Sequence, residues 1–285
     1  MKLMSYRRAG KEAWGVVIGD GVADMSGSTG YPNLAAFIAS PDFARRDTLV
    51  AGLVADTKLA DAEFLPVIPQ PEKIVCAVRN YMDHHQEVIA AGMNRELSEE
   101  PPIFLRVWRS QTPHNGPIEL PRVSASLDWE GELAVIIGKP GRNIPKAQAW
   151  EHVAGYSCYN DGSIREWQFH AKQIASGKNF ESTGGFGPWM VTADEIEPGR
   201  HLKLVTRLNG EVVQSGHTGD MIFDVPRLIE YASTIFTLSP GDVIITGTPA
   251  GVGWSRKPPR FMKAGDTVEV EIEAIGLLRN TIVAQ

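Results

Sequence analysis

Asp128-Trp129-Glu130-Gly131-Glu132-Leu133-Ala134-Val135-Ile136-Ile137 is the stretch on which the reading of this chain turns. Its second half is apolar and β-branched, so it reads as a strand with acids at the entering end. Residues two apart in a strand point to one face, with Cα atoms roughly 6.5 Å apart. Glu130 and Glu132 therefore repel, and no flanking residue neutralises them. A cation between them would, and Asp161 in Tyr159-Asn160-Asp161-Gly162 would complete an all-oxygen site. Such a donor set suits Mg²⁺ or Mn²⁺, with Ca²⁺ a further oxygen-binding cation, better than zinc. Taken alone, a Glu-x-Glu pair is usually an exposed edge. The surrounding motifs decide against that reading here.

Working outward, the 285 residues are 43% hydrophobic and 22% charged, the composition of a globular chain with ample core. A net charge of −6 implies no basic face for nucleic acid. The N-terminal Met1-Lys2-Leu3-Met4-Ser5-Tyr6-Arg7-Arg8 lacks the apolar core of a signal peptide, and no apolar run is long enough for a membrane span. A soluble, cytoplasmic protein is expected. Cys76 and Cys158 sit among apolar neighbours and read as buried free thiols. The proline-marked segment Leu65-Pro66-Val67-Ile68-Pro69-Gln70-Pro71 suggests a boundary, giving a small N-terminal domain over 1–70 and a catalytic domain over 71–285. In the first part we expect a hairpin around Asp20-Gly21 and helices over 33–39 and 45–58. In the second, short strands are expected over 73–78, 103–107, 132–137, 187–192, 203–208, 242–246 and 267–272. Helices are expected over 81–91, 165–173 and 225–236. Helices and strands do not alternate regularly, so the class is a mixed, β-rich α+β fold.

Three further motifs carry chemistry. His84 and Glu87 in Asp83-His84-His85-Gln86-Glu87 lie three apart and would be neighbours on one helical face. A histidine oriented by a carboxylate makes a general base effective near neutral pH. His85 points elsewhere and receives no role. Lys178 in Ala175-Ser176-Gly177-Lys178-Asn179-Phe180 would bring positive charge to a substrate anion or developing oxyanion. Thr246-Gly247-Thr248-Pro249-Ala250-Gly251-Val252-Gly253 follows a strand, and its glycines would let backbone N–H groups clamp a carboxylate. The chain has no H-E-x-x-H, C-x-x-C, G-x-S-x-G or Walker A signature.

In order and spacing, these blocks resemble the fumarylacetoacetate hydrolase superfamily over most of residues 73–280. The resemblance implies a β-roll of mixed sheets, dimeric, behind a small N-terminal α/β domain. Its metal ligands would fall on Glu130, Glu132 and Asp161, its water-activating pair on His84 and Glu87, and its lysine on Lys178. Arg165, Gln168 and Thr248 match positions that contact substrate in similar proteins. Arg106 stands where lysine is common, and its planar fork suggests a second acidic end on the substrate.

The resemblance implies a metal-dependent enzyme acting on a 2-oxo acid. The leading expectation is hydrolysis of the C3–C4 bond of a 2,4-dioxo acid, of acylpyruvate or fumarylpyruvate type, to pyruvate and a carboxylic acid. His84 would activate the water and Lys178 would stabilise the oxyanion. Decarboxylation of an oxaloacetate-like acid and isomerisation of a 2-hydroxydienoate from aromatic catabolism are the alternatives, since both use the same enolate. A ligand-binding homologue without catalysis is the alternative of another class. The stretch 91–101 is read as a lid over the site or as surface loop.

Overall fold

The computed structural model describes residues 1–92 and 96–285. The strands and helices that place the site are, in chain order, β1 (Lys2–Arg8), β2 (Lys11–Ile18), β3 (Gly21–Asp24), β4 (Ile74–Ala77), α1 (Met82–Ala90), β5 (Ile103–Arg106), β6 (Gly131–Ile137), β7 (Val153–Asp161), β8 (Gly184–Thr192), β9 (Lys203–Leu208), β10 (Glu211–His217), α2 (Val225–Ile235), β11 (Val243–Ile245), β12 (Thr267–Ile272) and β13 (Gly276–Ala284). A twelve-stranded mixed sheet contains the path β3-β2-β1-β8-β7-β6-β11-β4-β5, and a five-stranded sheet contains β10-β9-β12-β13. This is the expected β-rich α+β class.

β6 is buried along its whole length because both of its faces are covered. Leu133, Val135 and Ile137 pack with Leu204, Ile229, Val270 and Leu278 from the five-stranded sheet and α2. Ala134 and Ile136 pack on the other side with Trp14, Phe37 and Met190. A fully buried aliphatic side chain contributes about 1.5–3 kcal/mol, so this strand anchors two cores at once. At Gly131 the sheets approach so closely that a Cβ would lie 2.1 Å from Thr206 Oγ1. β1 joins the N-terminal strands to the main sheet by pairing antiparallel with β8, Leu3 opposite Met190.

Several elements differ from the sequence expectation. β7, nine residues and wholly buried, was not foreseen, because Gly155, Ser157, Cys158 and Asn160 dilute its β-forming residues. The hairpin of β2 and β3 is present, but Ile18 pairs with Gly21, so the turn residues are Gly19 and Asp20. In place of a helix over 45–58 there is Arg46–Val50, with Gly52 following at φ +79. The helix expected over 165–173 is the single turn Arg165–Gln168. The chain then folds back so tightly that a Cβ on Gly177 would sit 2.5 Å from the Gln168 nitrogen. That fold-back delivers Lys178 to the site. Both cysteines are free and buried. No helix among the described residues is long and apolar enough to cross a membrane. The stretch read as a lid lies partly on residues 93–95, outside the described residues.

Candidate active site and metal centre

Strand alternation assembles the acids. Glu130 and Glu132 continue the face of Ala134 and Ile136. β7 pairs antiparallel with β6, with Tyr159 opposite Glu132 and Asn160 opposite Gly131. Asp161 therefore falls beside Glu130 on the same face, and its N–H donates to the Glu130 carbonyl at 2.8 Å. One carboxylate oxygen from each of Glu130, Glu132 and Asp161 lies within 4.8 Å of the others, and all three residues are buried.

Cations answer these charges unevenly. Lys178 Nζ donates to Glu130 Oε2 and Asp161 Oδ2, both at 2.6 Å, and to the Asp161 carbonyl at 3.2 Å. Its three protons are thus spent within the site. Arg165 reaches Glu130 Oε1 at 2.8 Å and Asp128 Oδ2 at 2.7 Å, and donates to Gln168 Oε1 at 2.8 Å. Arg106 pairs with the remaining Asp161 oxygen. Among the described residues Glu132 receives the neutral N–H of Gly247 and no cation. The acidities follow this division. Burial raises the Glu130 carboxyl, but Lys178 and Arg165 outweigh burial and hold it well below the usual range. Burial pushes Glu132 far up, and the charges of Asp161 and Glu130 push it further.

His84 and Glu87 are in contact: they share one face of α1, and His84 Nδ1 lies 2.9 Å from Glu87 Oε2. The second oxygen of Glu87 accepts from Gly251 N at 2.9 Å and Ser255 Oγ at 2.6 Å. Burial works against the charge of Glu87, but its bonds to His84, Ser255 and Gly251 prevail and lower its pKa. With Nδ1 occupied, Nε2 is the ring nitrogen left for a substrate.

The glycine-bearing loop does clamp carboxylates, and they are the protein's own. Besides Glu132 and Glu87, it holds Asp83 through Ala250 N at 3.2 Å and Asp128 through Gly253 N at 2.7 Å and Trp254 N at 2.9 Å. Gly251 has φ +107, and a Cβ there would meet the Val213 carbonyl at 2.2 Å. One loop thereby ties the base pair to the carboxylate cluster.

His84, Glu130, Glu132, Asp161, Arg165, Gln168, Lys178 and Thr248 all line one open cavity. The Thr248 hydroxyl is occupied, donating to the Gly131 carbonyl at 2.9 Å and accepting from Gln214 at 2.8 Å. Arg106 does not line this cavity. Its guanidinium is fully buried behind Asp161, donating also to Ser110 Oγ at 3.0 Å and Thr183 Oγ1 at 2.9 Å. It supports a carboxylate of the protein, where the sequence suggested one of a substrate. Asp128 and Ser255 were missed as functional positions. Nothing local marks either one, since the site partners Arg165 of Asp128 and Glu87 of Ser255 lie 37 and 168 residues away.

The family profile described as "Fumarylacetoacetate (FAA) hydrolase C-terminal" matches residues 73–283. The chain belongs to the fumarylacetoacetate hydrolase family. Within it, the human mitochondrial oxaloacetate tautomerase FAHD2A is 43% identical over 226 residues, covering 79% of this chain and 70% of that protein. The maleylpyruvate hydrolase of Sphingobium sp. SYK-6, solved with manganese(II) and pyruvate, is 28% identical. It superposes at TM-score 0.82 over 100% of this chain and 99% of that one. A 2-hydroxyhepta-2,4-diene-1,7-dioate isomerase from Mycobacterium marinum is 31% identical, with TM-score 0.77 over 100% and 99%. Tautomerase, hydrolase and isomerase thus share this family fold.

Proposed function

We propose that this protein is a divalent-metal-dependent enzyme that interconverts the keto and enol forms of a 2-oxo acid, with oxaloacetate as a substrate. The observation that carries the proposal is the base pair. His84 is held through Nδ1 by a doubly anchored Glu87 and opens on the cavity lined by the three carboxylates. The 43% identity to an oxaloacetate tautomerase supports the choice of reaction.

The residues fit a divalent cation. Four buried carboxylates (Asp128, Glu130, Glu132, Asp161) face three buried cations (Arg106, Arg165, Lys178). Among the described residues Glu132 is the carboxylate of the triad without a cationic partner. Glu130, Glu132 and Asp161 would hold the ion, and Mg²⁺ or Mn²⁺ suits their oxygens. When bound, the ion supplies Lewis-acid polarisation of the substrate's 2-oxo group.

The chain's own residues do the rest. His84 exchanges the proton at C3, and Glu87 fixes its tautomer and stabilises the imidazolium. Lys178 and Arg165 keep Glu130 ionised, and Lys178 also pairs with Asp161. Gln168, whose carbonyl is taken by Arg165, presents its amide N–H₂ to a ligand. Isomerisation needs no attacking water, and atoms balance because the C3 proton and the enol proton exchange places. Hydrolysis of an acylpyruvate is the second reading, favoured by the fold shared with maleylpyruvate hydrolase. It adds one demand, that His84 deprotonate a water aimed at C4.

A panel of enol-oxaloacetate, acetylpyruvate and fumarylpyruvate, with Mn²⁺ or chelator, separates them. Accelerated loss of the enol absorbance without pyruvate release supports the tautomerase. Pyruvate release from a diketone, with no effect on enol-oxaloacetate, overturns it.

A further inference from the structure

Part of the cavity lining is apolar, although Arg79 and Gln168 line the cavity as well. Val88 lies one turn after His84 on α1, so it flanks the imidazole. Val252 and Trp254 come from the loop whose Gly251 and Ser255 grip Glu87. Phe169 follows Gln168 directly, and its ring lies 5.3 Å from that of Trp254 at an interplanar angle of 54°. All four line the cavity. Phe169 keeps 40% of its surface exposed, a large aromatic left open beside the site. α1 and the loop that grips Glu87 thus supply three of the four residues of this apolar wall, and the turn Arg165–Gln168 leads into the fourth. A 2-oxo acid with its carboxylate and 2-oxo group at the acidic cluster presents C3 to His84, and the substituent on C3 then meets this wall. In oxaloacetate that substituent is a carboxylate, which gains nothing from burial against valine and aromatic rings.

We propose that the site accepts pyruvates carrying an aryl group on C3, and that Phe169 and Trp254 select that group. This rests on the enolisation reading above. The step is the same isomerisation: His84 takes the C3 proton and returns it, directly or after exchange with water, to the C2 oxygen, a net proton shift with no co-reactant. An arylpyruvate fits well, because its enol is planar and conjugated with the ring, and offset or edge-on aromatic contacts favour it.

The test uses the full chain loaded with Mn²⁺ and unreactive 2-hydroxy acids that keep the chelating end: lactate, malate and phenyllactate. Phenyllactate is expected to bind on the order of tenfold or more tighter than lactate. Phe169→Ala and Trp254→Ala, made separately, should bring that ratio towards one, with oxalate affinity reporting that the carboxylate end is intact. Equal binding of lactate and phenyllactate, or a preference for malate over phenyllactate, would overturn the inference. Keto–enol exchange of phenylpyruvate and oxaloacetate is followed on the same samples. Turnover of oxaloacetate alone, with no preference for phenyllactate, removes the aryl class and leaves the tautomerase reading standing. Turnover of neither removes that reading, while the binding ratios still decide what the wall selects.

Discussion

The two ends of β6 are built by opposite rules. At one end Ala134 to Ile137 are fully buried between two apolar cores, and every contact favours folding. At the other, within the same strand and its entering residues, Glu130 and Glu132 are just as buried, with Asp161 beside them and a positive charge too few. Burying an ion costs several kcal/mol even where it is paired. The stable end supplies the rigidity that lets the costly end exist, and the costly end is where a ligand can be bound for gain. Stability and activity should therefore separate along one strand.

Substitutions at the two ends should cross over. His84→Ala, which leaves the metal ligands in place, should lower enol-oxaloacetate turnover by a factor of about 10²–10⁴ in a coupled or direct ultraviolet assay. Glu132→Gln should also abolish metal-dependent turnover, yet leave the metal-free protein as stable as wild type or more so, since it removes a buried acid that has no cationic partner among the described residues. Ile136→Ala should do the reverse, losing about 2–5 kcal/mol in urea unfolding while the folded fraction keeps its kcat. If Glu132→Gln destabilises the metal-free protein as much as Ile136→Ala does, the contrast fails.

A titratable group outside the site sharpens the comparison. His114 packs edge-on against Phe64 at 4.8 Å, and its Nδ1 accepts from Arg279 N at 3.1 Å. Burial, with help from Arg279, lowers its pKa from 6.5 to about 4. The depressed folded value means that its contribution to stability is present above pH 6.5 and is lost as pH falls towards 4. His114→Gln should flatten this acid slope, measured by thermal unfolding from pH 4 to 7, without moving the pH dependence of kcat. A slope identical to wild type would contradict this.

The smallest effect is expected at Ser255, whose hydroxyl holds Glu87 at 2.6 Å. Ser255→Ala should reduce kcat about five- to tenfold and move the acid limb of the kcat profile to higher pH, because a carboxylate stripped of a donor becomes more basic. Ser255→Thr should restore both. A fall in kcat with an unmoved limb would make Ser255 merely structural.

What the sequence disclosed follows the range of the signals. Period-two alternation placed Glu130 and Glu132 together, and helical spacing joined His84 to Glu87, since both are local. The apolar run of β6 announced a buried strand. β7 did not, because its burial comes from neighbours on both sides, and small and polar residues suffice where packing is imposed from outside. Arg106 reads as a binding residue from its family position and its planar fork, but its partner Asp161 lies 55 positions away and only the fold reveals that pairing. The loop after β11 was recognised as an amide clamp, and the sequence held no means of telling that Glu132, Asp83, Glu87 and Asp128 fill it.

The most direct test is the rate of ketonisation of enol-oxaloacetate by stopped-flow absorbance, for wild type and Glu132→Gln, with Mn²⁺ and with chelator. Acceleration over the uncatalysed rate is expected only for wild type with Mn²⁺. Equal acceleration in chelator, or by Glu132→Gln, would contradict a reaction that depends on a cation at the buried carboxylates.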